Sequence, residues 1–168
     1  GLLEKIFPHL GKVDVNISDV EMQLDVPRKS DGEGGFIHGS RGSFSLEIIN
    51  RKNTNVILED IHCVAYQDKT VIQDNIRCND KATYHKVAMR ATYDAVPSVS
   101  IPGNGIVSFD VIINSNADLS QYNKLTLSYL RGRKRREVTV YERLEENDEQ
   151  SNLRHDEADG NPKGYCRD

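Results

Sequence analysis

The segment Ile106-Val-Ser-Phe-Asp-Val-Ile-Ile113 carries apolar residues at every second position, with Val107, Phe109, Val111 and Ile113 on one side. Successive side chains of a β-strand point to opposite faces, so the pattern predicts a strand with one face in the core. Alternating runs interrupted by turn residues recur from Phe44 onward. Between Phe44 and Ile113, three such alternations predict a half-buried antiparallel sheet.

The flanking segments continue the pattern. Residues 13–26 alternate with a change of phase near Asp19, which predicts one bent strand or two short ones. Turns at 68–69 and 131–134 predict two hairpins. Residues 82–93 could be strand or helix by composition, and the β-rich context favours a strand. In total, about seven to nine strands with turn signals every 8–12 residues predict an all-β, antiparallel two-sheet sandwich.

Composition divides the 168-residue chain into three parts. We expect residues 1–12 to form an N-terminal cap on the sandwich or the end of a membrane-proximal linker, and residues 13–144 to form one β-sandwich domain. Residues 145–168 hold eight carboxylates and three cations, with almost no aliphatic residues. Such a segment buries too little to offset its ordering entropy, so we expect a flexible acidic tail. No apolar run approaches the roughly 18 residues of a membrane span.

The three cysteines leave at least one thiol unpaired, which argues against a disulfide-stapled scaffold. With a tight turn at 68–69, simple counting places Cys63 opposite Asp74 rather than Cys78. The sequence therefore predicts that Cys63 and Cys78 do not form a bridge.

No catalytic or metal-binding constellation is visible in the sequence. The five histidines are scattered, without cysteines at metal-ligand spacing. His62 and His85 could meet across a sheet, but the simpler interpretation is that they are surface or boundary residues. Cys63 lies in an alternating apolar run, which favours a small buried side chain over a nucleophile. We therefore expect a protein that is not an enzyme and uses no cofactor or metal.

The body of the chain contains one cluster of basic residues, in the hairpin predicted around the turn at 131–134. It could be a solvated turn whose charge protects the sheet edge, and it also resembles a short nuclear-localisation run. It could instead bind an anionic partner, which would be a nucleic acid, a sulfated polymer or the chain's own acidic tail. No aromatic residues interleave with it to stack on bases. The candidate anion-binding residues are Arg131, Arg133, Lys134, Arg135 and Arg136.

Two longer segments resemble a known family. They are Ser43-Phe-Ser-Leu-Glu-Ile-Ile-Asn-Arg-Lys-Asn-Thr-Asn-Val-Ile-Leu-Glu-Asp-Ile61 and Val99-Ser-Ile-Pro-Gly-Asn-Gly-Ile-Val-Ser-Phe-Asp-Val111. Their order of strand, Asn-rich corner, strand and Ile-Pro-x-x-Gly turn resembles the WHy-type (water stress and hypersensitive response) late-embryogenesis-abundant domain. The resemblance covers roughly residues 13–142. Asn50, Asn53 and Asn55 stand where the family corner usually reads Asn-Pro-Asn, and the basic hairpin and acidic tail are additions.

This resemblance implies an immunoglobulin-like or fibronectin-type sandwich. It also implies a stress-associated or cell-envelope accessory domain, of a family often lipid-anchored in bacteria and without a known active site. The expected function is a non-catalytic accessory or binding domain with an unidentified protein partner. An anion-binding module is the alternative. A cell-envelope or extracytoplasmic location is favoured over a cytoplasmic one.

Overall fold

The computed structural model of the protein describes residues 11–30, 32–116 and 119–144. Nearly all of the expected N-terminal cap and the whole of the expected tail lie outside these residues. The described part holds ten β-strands and one short 3-10 turn, and no α-helix within it is long and apolar enough to cross a membrane. The prediction of an all-β antiparallel protein is confirmed.

The strands are β1 (Val13–Ser30), β2 (Phe36–Asn50), β3 (Val56–Gln67), β4 (Thr70–Asp80), β5 (His85–Val87), β6 (Arg90–Thr92), β7 (Val99–Ile101), β8 (Ile106–Ser115), β9 (Lys124–Arg131) and β10 (Lys134–Glu142). Eight of them form one antiparallel sheet in the order β1-β2-β8-β4-β3-β9-β10, with β7 paired to β3. Strands β5 and β6 form a separate two-stranded sheet.

The large sheet curls into a half-barrel, and its two end strands, β1 and β10, come into contact. The core fills the concave side. On β2, Phe44, Leu46 and Ile48 are buried, whereas the residues between them are partly or fully exposed. On β8, Val111 and Ile113 are buried, and Val107 and Phe109 pack against the same core. The face predicted from period-2 alternation is therefore the core face of both strands.

The sequence predicted either one bent strand or two short strands around the phase change near Asp19, and the structure has one, β1. It is one continuous strand, whose pairing with β2 shifts register between Ser18 and Glu21. Asp19 lies within the shift with φ 52°. A bulge of this kind bends the strand and returns the next apolar residues to the core face. Val20 and Met22 accordingly pack against the core.

The register predicted for β3 and β4 is wrong, although the turn itself is where the sequence placed it. Gln67 pairs with Thr70 across the turn, but two register shifts put Cys63 opposite Ile76 instead of Asp74. The pairing is thus displaced by two residues relative to the predicted register. As a result Ile76, rather than Asp74, lies opposite the buried Cys63, and a carboxylate is kept out of the core. The displacement also brings Cys78 beside Cys63.

The two cysteines, predicted to be apart, are buried neighbours. Their Sγ atoms lie 3.6 Å apart as free thiols. The hydrogen bond to Cys78 and burial raise the pKa of the Cys63 thiol well above its usual range.

Residues 82–93 form strand rather than α-helix, as the β-rich context favoured, but they form two short strands after a 3-10 turn instead of one longer strand. The side chain of Asp80 accepts a hydrogen bond from the N–H of Ala82 at 2.9 Å, and a 3-10 turn over Lys81–Thr83 follows. The chain then forms the hairpin β5–β6. Its turn residues, Ala88 and Met89, carry no sequence signal for a turn, since Gly, Asn or Asp usually occupies such positions.

A buried asparagine holds the Asn-rich corner between β2 and β3. The Nδ2 of Asn50 donates to the carbonyls of Thr54 at 2.9 Å, Pro102 at 3.1 Å and Ile101 at 3.3 Å. Its Oδ1 accepts from the N–H of Lys52 at 3.0 Å. One side chain thus joins the end of β2, the corner and the turn that precedes β8.

Candidate functional site

The cations singled out in the sequence lie at the closed end of hairpin β9–β10. Arg131 pairs with Lys134 across a two-residue turn of Gly132 and Arg133. Gly132 has φ 63°, the positive value that this tight turn requires at its first central position and that glycine adopts most easily. The local sequence therefore dictates where the charges meet.

The two faces of the hairpin receive different cations. On β10, Val138 and Val140 pack towards the core, so Arg136 lies on the inner face and Arg135 on the outer one. Arg133 and Lys134 are exposed, and Arg131 and Arg136 are half-buried. We call Arg131, Arg133, Lys134 and Arg136 the basic tip.

Arg135 differs from the other cations of the hairpin because it binds a carboxylate on β3. Its Nη1 donates to the backbone carbonyl of Asp60 at 3.1 Å and to Ser128 Oγ at 3.2 Å, and its Nη2 pairs with the Asp60 carboxylate. The hydrogen bond from this guanidinium holds the pKa of Asp60 below its usual value. Arg135 is therefore neutralised within the fold, unlike the rest of the predicted cluster.

The inward cations of the basic tip lie near a buried tyrosine. Tyr129 is Arg136's direct partner across the hairpin. Burial raises the pKa of Tyr129, while the charges of Arg136 and Arg131 act in the opposite direction. Both guanidinium groups thus lie near enough to the Tyr129 phenol to favour its charged form.

The basic tip forms no ion pair with a described residue. Arg135 forms an ion pair there, but none of Arg131, Arg133, Lys134 and Arg136 does. The Nε of Arg136 is buried and has no hydrogen-bond partner in this part of the chain. The turn and the strand pairing bring four cations together without an ion pair to any described residue, and this arrangement favours an anion at this position.

A polar cleft of about 320 Å³ lies on the outer face, next to Arg135. His62, on its wall, has a side chain only 13% exposed. Its Nδ1 lies 3.0 Å from the backbone carbonyl of Asp60, and its Nε2 lies 3.2 Å from Asp74 Oδ1. Tyr66 closes another side, donating to Glu137 at 2.7 Å.

Polar side chains in this cleft are held by contacts with one another. Both ring nitrogens of His62 already face an oxygen, so neither is directed at a nucleophile, as a general base must be. Ser128 Oγ, on the same wall, is 3.2 Å from Arg135. Within the described residues there is no group of three or more metal-ligating side chains. His85 faces a different carboxylate, Asp94, at 3.8 Å.

Sequence reasoning missed Asp60 and its role. Asp60 has φ 49° and lies in a register shift between β3 and β9, which turns its carboxylate towards β10. A positive φ at a non-glycine residue inside a strand marks a bulge, and aspartate tolerates it better than most residues. The only hint in the sequence is that Glu59 and Asp60 interrupt an otherwise apolar run.

No protein-family model matches the sequence, and no curated protein matches it either.

Proposed function

We propose that this protein is a non-catalytic, immunoglobulin-like binding domain of the accessory kind that the WHy resemblance implies, and that its basic tip binds a polyanion. The observation that carries the binding proposal is the set of four cations without a carboxylate partner among the described residues. The phosphates of a nucleic acid or the sulfates of a polysaccharide supply the matching charge.

The immunoglobulin-like arrangement is supported by β4. Its residues from Thr70 to Arg77 run beside β3, whereas its last three, Cys78 to Asp80, pair with β8. Within the curled sheet β4 thus changes neighbour along its length, as strands do where they pass between the two packed sheets of a sandwich.

The absence of catalysis in this proposal is supported by His62. Its two ring nitrogens face the Asp60 carbonyl and the Asp74 carboxylate, which leaves no free nitrogen to take a proton from a substrate.

The test is binding of the full chain to heparin and to duplex DNA at a series of salt concentrations. If all four cations of the basic tip neutralise phosphates, the slope of log affinity against log salt for DNA is about −3.6. The variant Arg133→Ser/Lys134→Ser removes the two exposed cations and should reduce that slope by about 2. A preference for heparin or for DNA identifies which polymer is bound.

The matched control is Lys69→Ser/Lys81→Ser, which removes two exposed cations elsewhere. It changes net charge equally but leaves the basic tip intact, so the slope should hardly change. Salt-sensitive binding that falls equally in both variants would show a general charge effect and contradict the proposal. Failure of the unaltered chain to bind either polymer at low salt would also contradict it.

A further inference from the structure

Hairpin β5–β6 projects from the half-barrel with an apolar end. Every residue from Tyr84 to Thr92 is exposed, Met89 to 96% and Val87 to 65%. Ala88, between them, has φ 55°, a conformation that favours glycine. An isolated two-stranded hairpin is at best marginally stable in water. The fold thus presents two large apolar side chains at a place where no described residue covers them.

The base of the hairpin is held in place by specific contacts. The rings of Tyr84 and Tyr93 meet edge to face, with centroids 5.6 Å apart. The N–H of Asp94 donates to Thr83 Oγ1 at 2.8 Å. Tyr84 remains more than half exposed. Tyrosine combines an apolar ring with a polar hydroxyl, and it is enriched where apolar surroundings meet water.

The segment that forms the hairpin is positively charged, and the nearest carboxylates, Asp80 and Asp94, lie at its base. From Lys81 to Thr92 the chain has three cations and no carboxylate. Lys86 directly precedes Val87, and Arg90 directly follows Met89. The end of the hairpin therefore consists of two apolar side chains between two cations.

A cleft of about 700 Å³ lies beside the hairpin, between it and the ends of β1, β2 and β8. Two arginines, Arg41 and Arg90, line it, and no carboxylate of a described residue does. Arg41 Nε donates to Asn114 Oδ1 at 3.3 Å, which orients its guanidinium without neutralising it. Arg41 thus adds one more cation beside those of the hairpin, in a cleft that Met89 and Arg90 also line.

We propose that hairpin β5–β6 is a contact for an anionic lipid bilayer. Val87 and Met89 enter the interfacial region, while Lys86, Arg90 and Arg41 bind lipid phosphate and carboxylate groups. This order of apolar end, cations and tyrosine base matches the layers of a membrane surface.

A bilayer suits this hairpin better than a protein partner. Stable protein interfaces bury about 800 Å² on each side, with aromatic anchors seated in pockets. Two side chains at the end of a three-residue ladder form a wedge rather than such a surface. The proposal uses none of the residues of the basic tip and stands independently of the polyanion proposal.

A tryptophan placed at the apolar end of hairpin β5–β6 tests insertion into the bilayer directly, because the chain contains no tryptophan of its own. The full-length variant Met89→Trp is mixed with vesicles of phosphatidylcholine plus phosphatidylserine, and with vesicles of phosphatidylcholine alone. Its emission should shift to the blue with the first and little with the second. Val71→Trp, at an exposed apolar residue that lines a different cleft, is the matched control and should not shift.

Co-sedimentation with the same vesicles measures how much the apolar and the basic side chains each contribute to membrane binding. Val87→Ser/Met89→Ser should weaken binding by about tenfold or more, since burying one such side chain is worth at least that factor. Lys86→Ser/Arg90→Ser should weaken it by about tenfold or more at low salt. Arg41→Gln should cause a smaller loss. The control Val71→Ser/Ile72→Ser removes two exposed apolar residues of β4 and should bind normally.

Several results would overturn the proposal. One is an unshifted tryptophan at position 89 in the presence of anionic vesicles. Another is undiminished vesicle binding by Val87→Ser/Met89→Ser, which would show charge attraction without insertion. Binding of soluble inositol hexakisphosphate without vesicle binding would assign the cleft to a free phosphate compound instead. A stable complex of the hairpin with a protein, again without vesicle binding, would assign the apolar end to that protein.

Discussion

Replacing Asn50 by alanine should destabilise the fold by about 3 kcal/mol, at roughly 1 kcal/mol for each well-formed hydrogen bond lost. The Asn50 side chain is 1% exposed and makes three bonds of 3.1 Å or less, to Thr54, Lys52 and Pro102. A fourth, to Ile101, is longer. Truncation removes all of these at once, and water has little access to replace them.

Urea unfolding followed by circular dichroism gives the measurement. With a slope of about 2 kcal/mol/M, a loss of about 3 kcal/mol lowers the midpoint by about 1.5 M. Asn55→Ala is the control within the same corner, because Asn55 is exposed and accepts one hydrogen bond, from the N–H of Gly103 at 3.1 Å. That variant should lose about 0.5 kcal/mol.

The reasoning would be refuted if Asn50→Ala lost no more stability than Asn55→Ala. It would also be refuted if the loss at Asn50 were accompanied by a changed slope, since the effect would then include a change in the compactness of the unfolded or native state.

Three further predictions follow from other contacts. Gly103→Ala should destabilise by about 2 kcal/mol or more in the same urea assay, because an added Cβ would clash with a backbone carbonyl of the corner. Arg135→Gln should lower the free energy of unfolding by about 0.5–1 kcal/mol at pH 7. Since Arg135 lowers the folded-state pKa of Asp60, that contribution is present above the unfolded value and lost as pH falls through the folded one, so the variant should match the original protein near pH 2. Refolding with oxidised glutathione should join Cys63 to Cys78, detected as an intramolecular disulfide by mass spectrometry, while the folded protein reacts slowly because both thiols are buried.

Each of these has a contradicting outcome. Unchanged stability of Gly103→Ala would mean that the corner can move apart at little cost. An Arg135→Gln deficit of the same size at pH 7 and pH 2 would show that the ion pair with Asp60 contributes nothing. Rapid oxidation of the folded protein would contradict the burial of the two thiols.

Much of the fold could be predicted from local patterns. Alternation identified the core faces of β2 and β8, turn residues located the β3–β4 and β9–β10 hairpins, and the phase change at Asp19 marked a real bulge. The cations of hairpin β9–β10 could also be placed together in advance. Each of these features depends on residues a few positions apart, so the chain itself carries the signal.

The candidate site could be predicted only in part. Arg135 was grouped with its neighbours, whereas its partner, Asp60, lies 75 positions away. The pairing exists because β3 and β10 flank β9 and because a positive φ turns Asp60 out of the ladder. Neither the strand order nor a bulge at an acidic residue has a local sequence signature.

The sequence by itself therefore determined the all-β class, the buried faces, the main hairpins and the cluster of charge, since period-2 burial and turn chemistry act over a few residues. Only the tertiary structure decided the strand order, the contact between Cys63 and Cys78, and the ion pair of Arg135 with Asp60. It also decided that the strand predicted over residues 82–93 is divided into an exposed hairpin. These features depend on register shifts and on pairing between distant strands, which are fixed by the packing of the whole core rather than by any one segment.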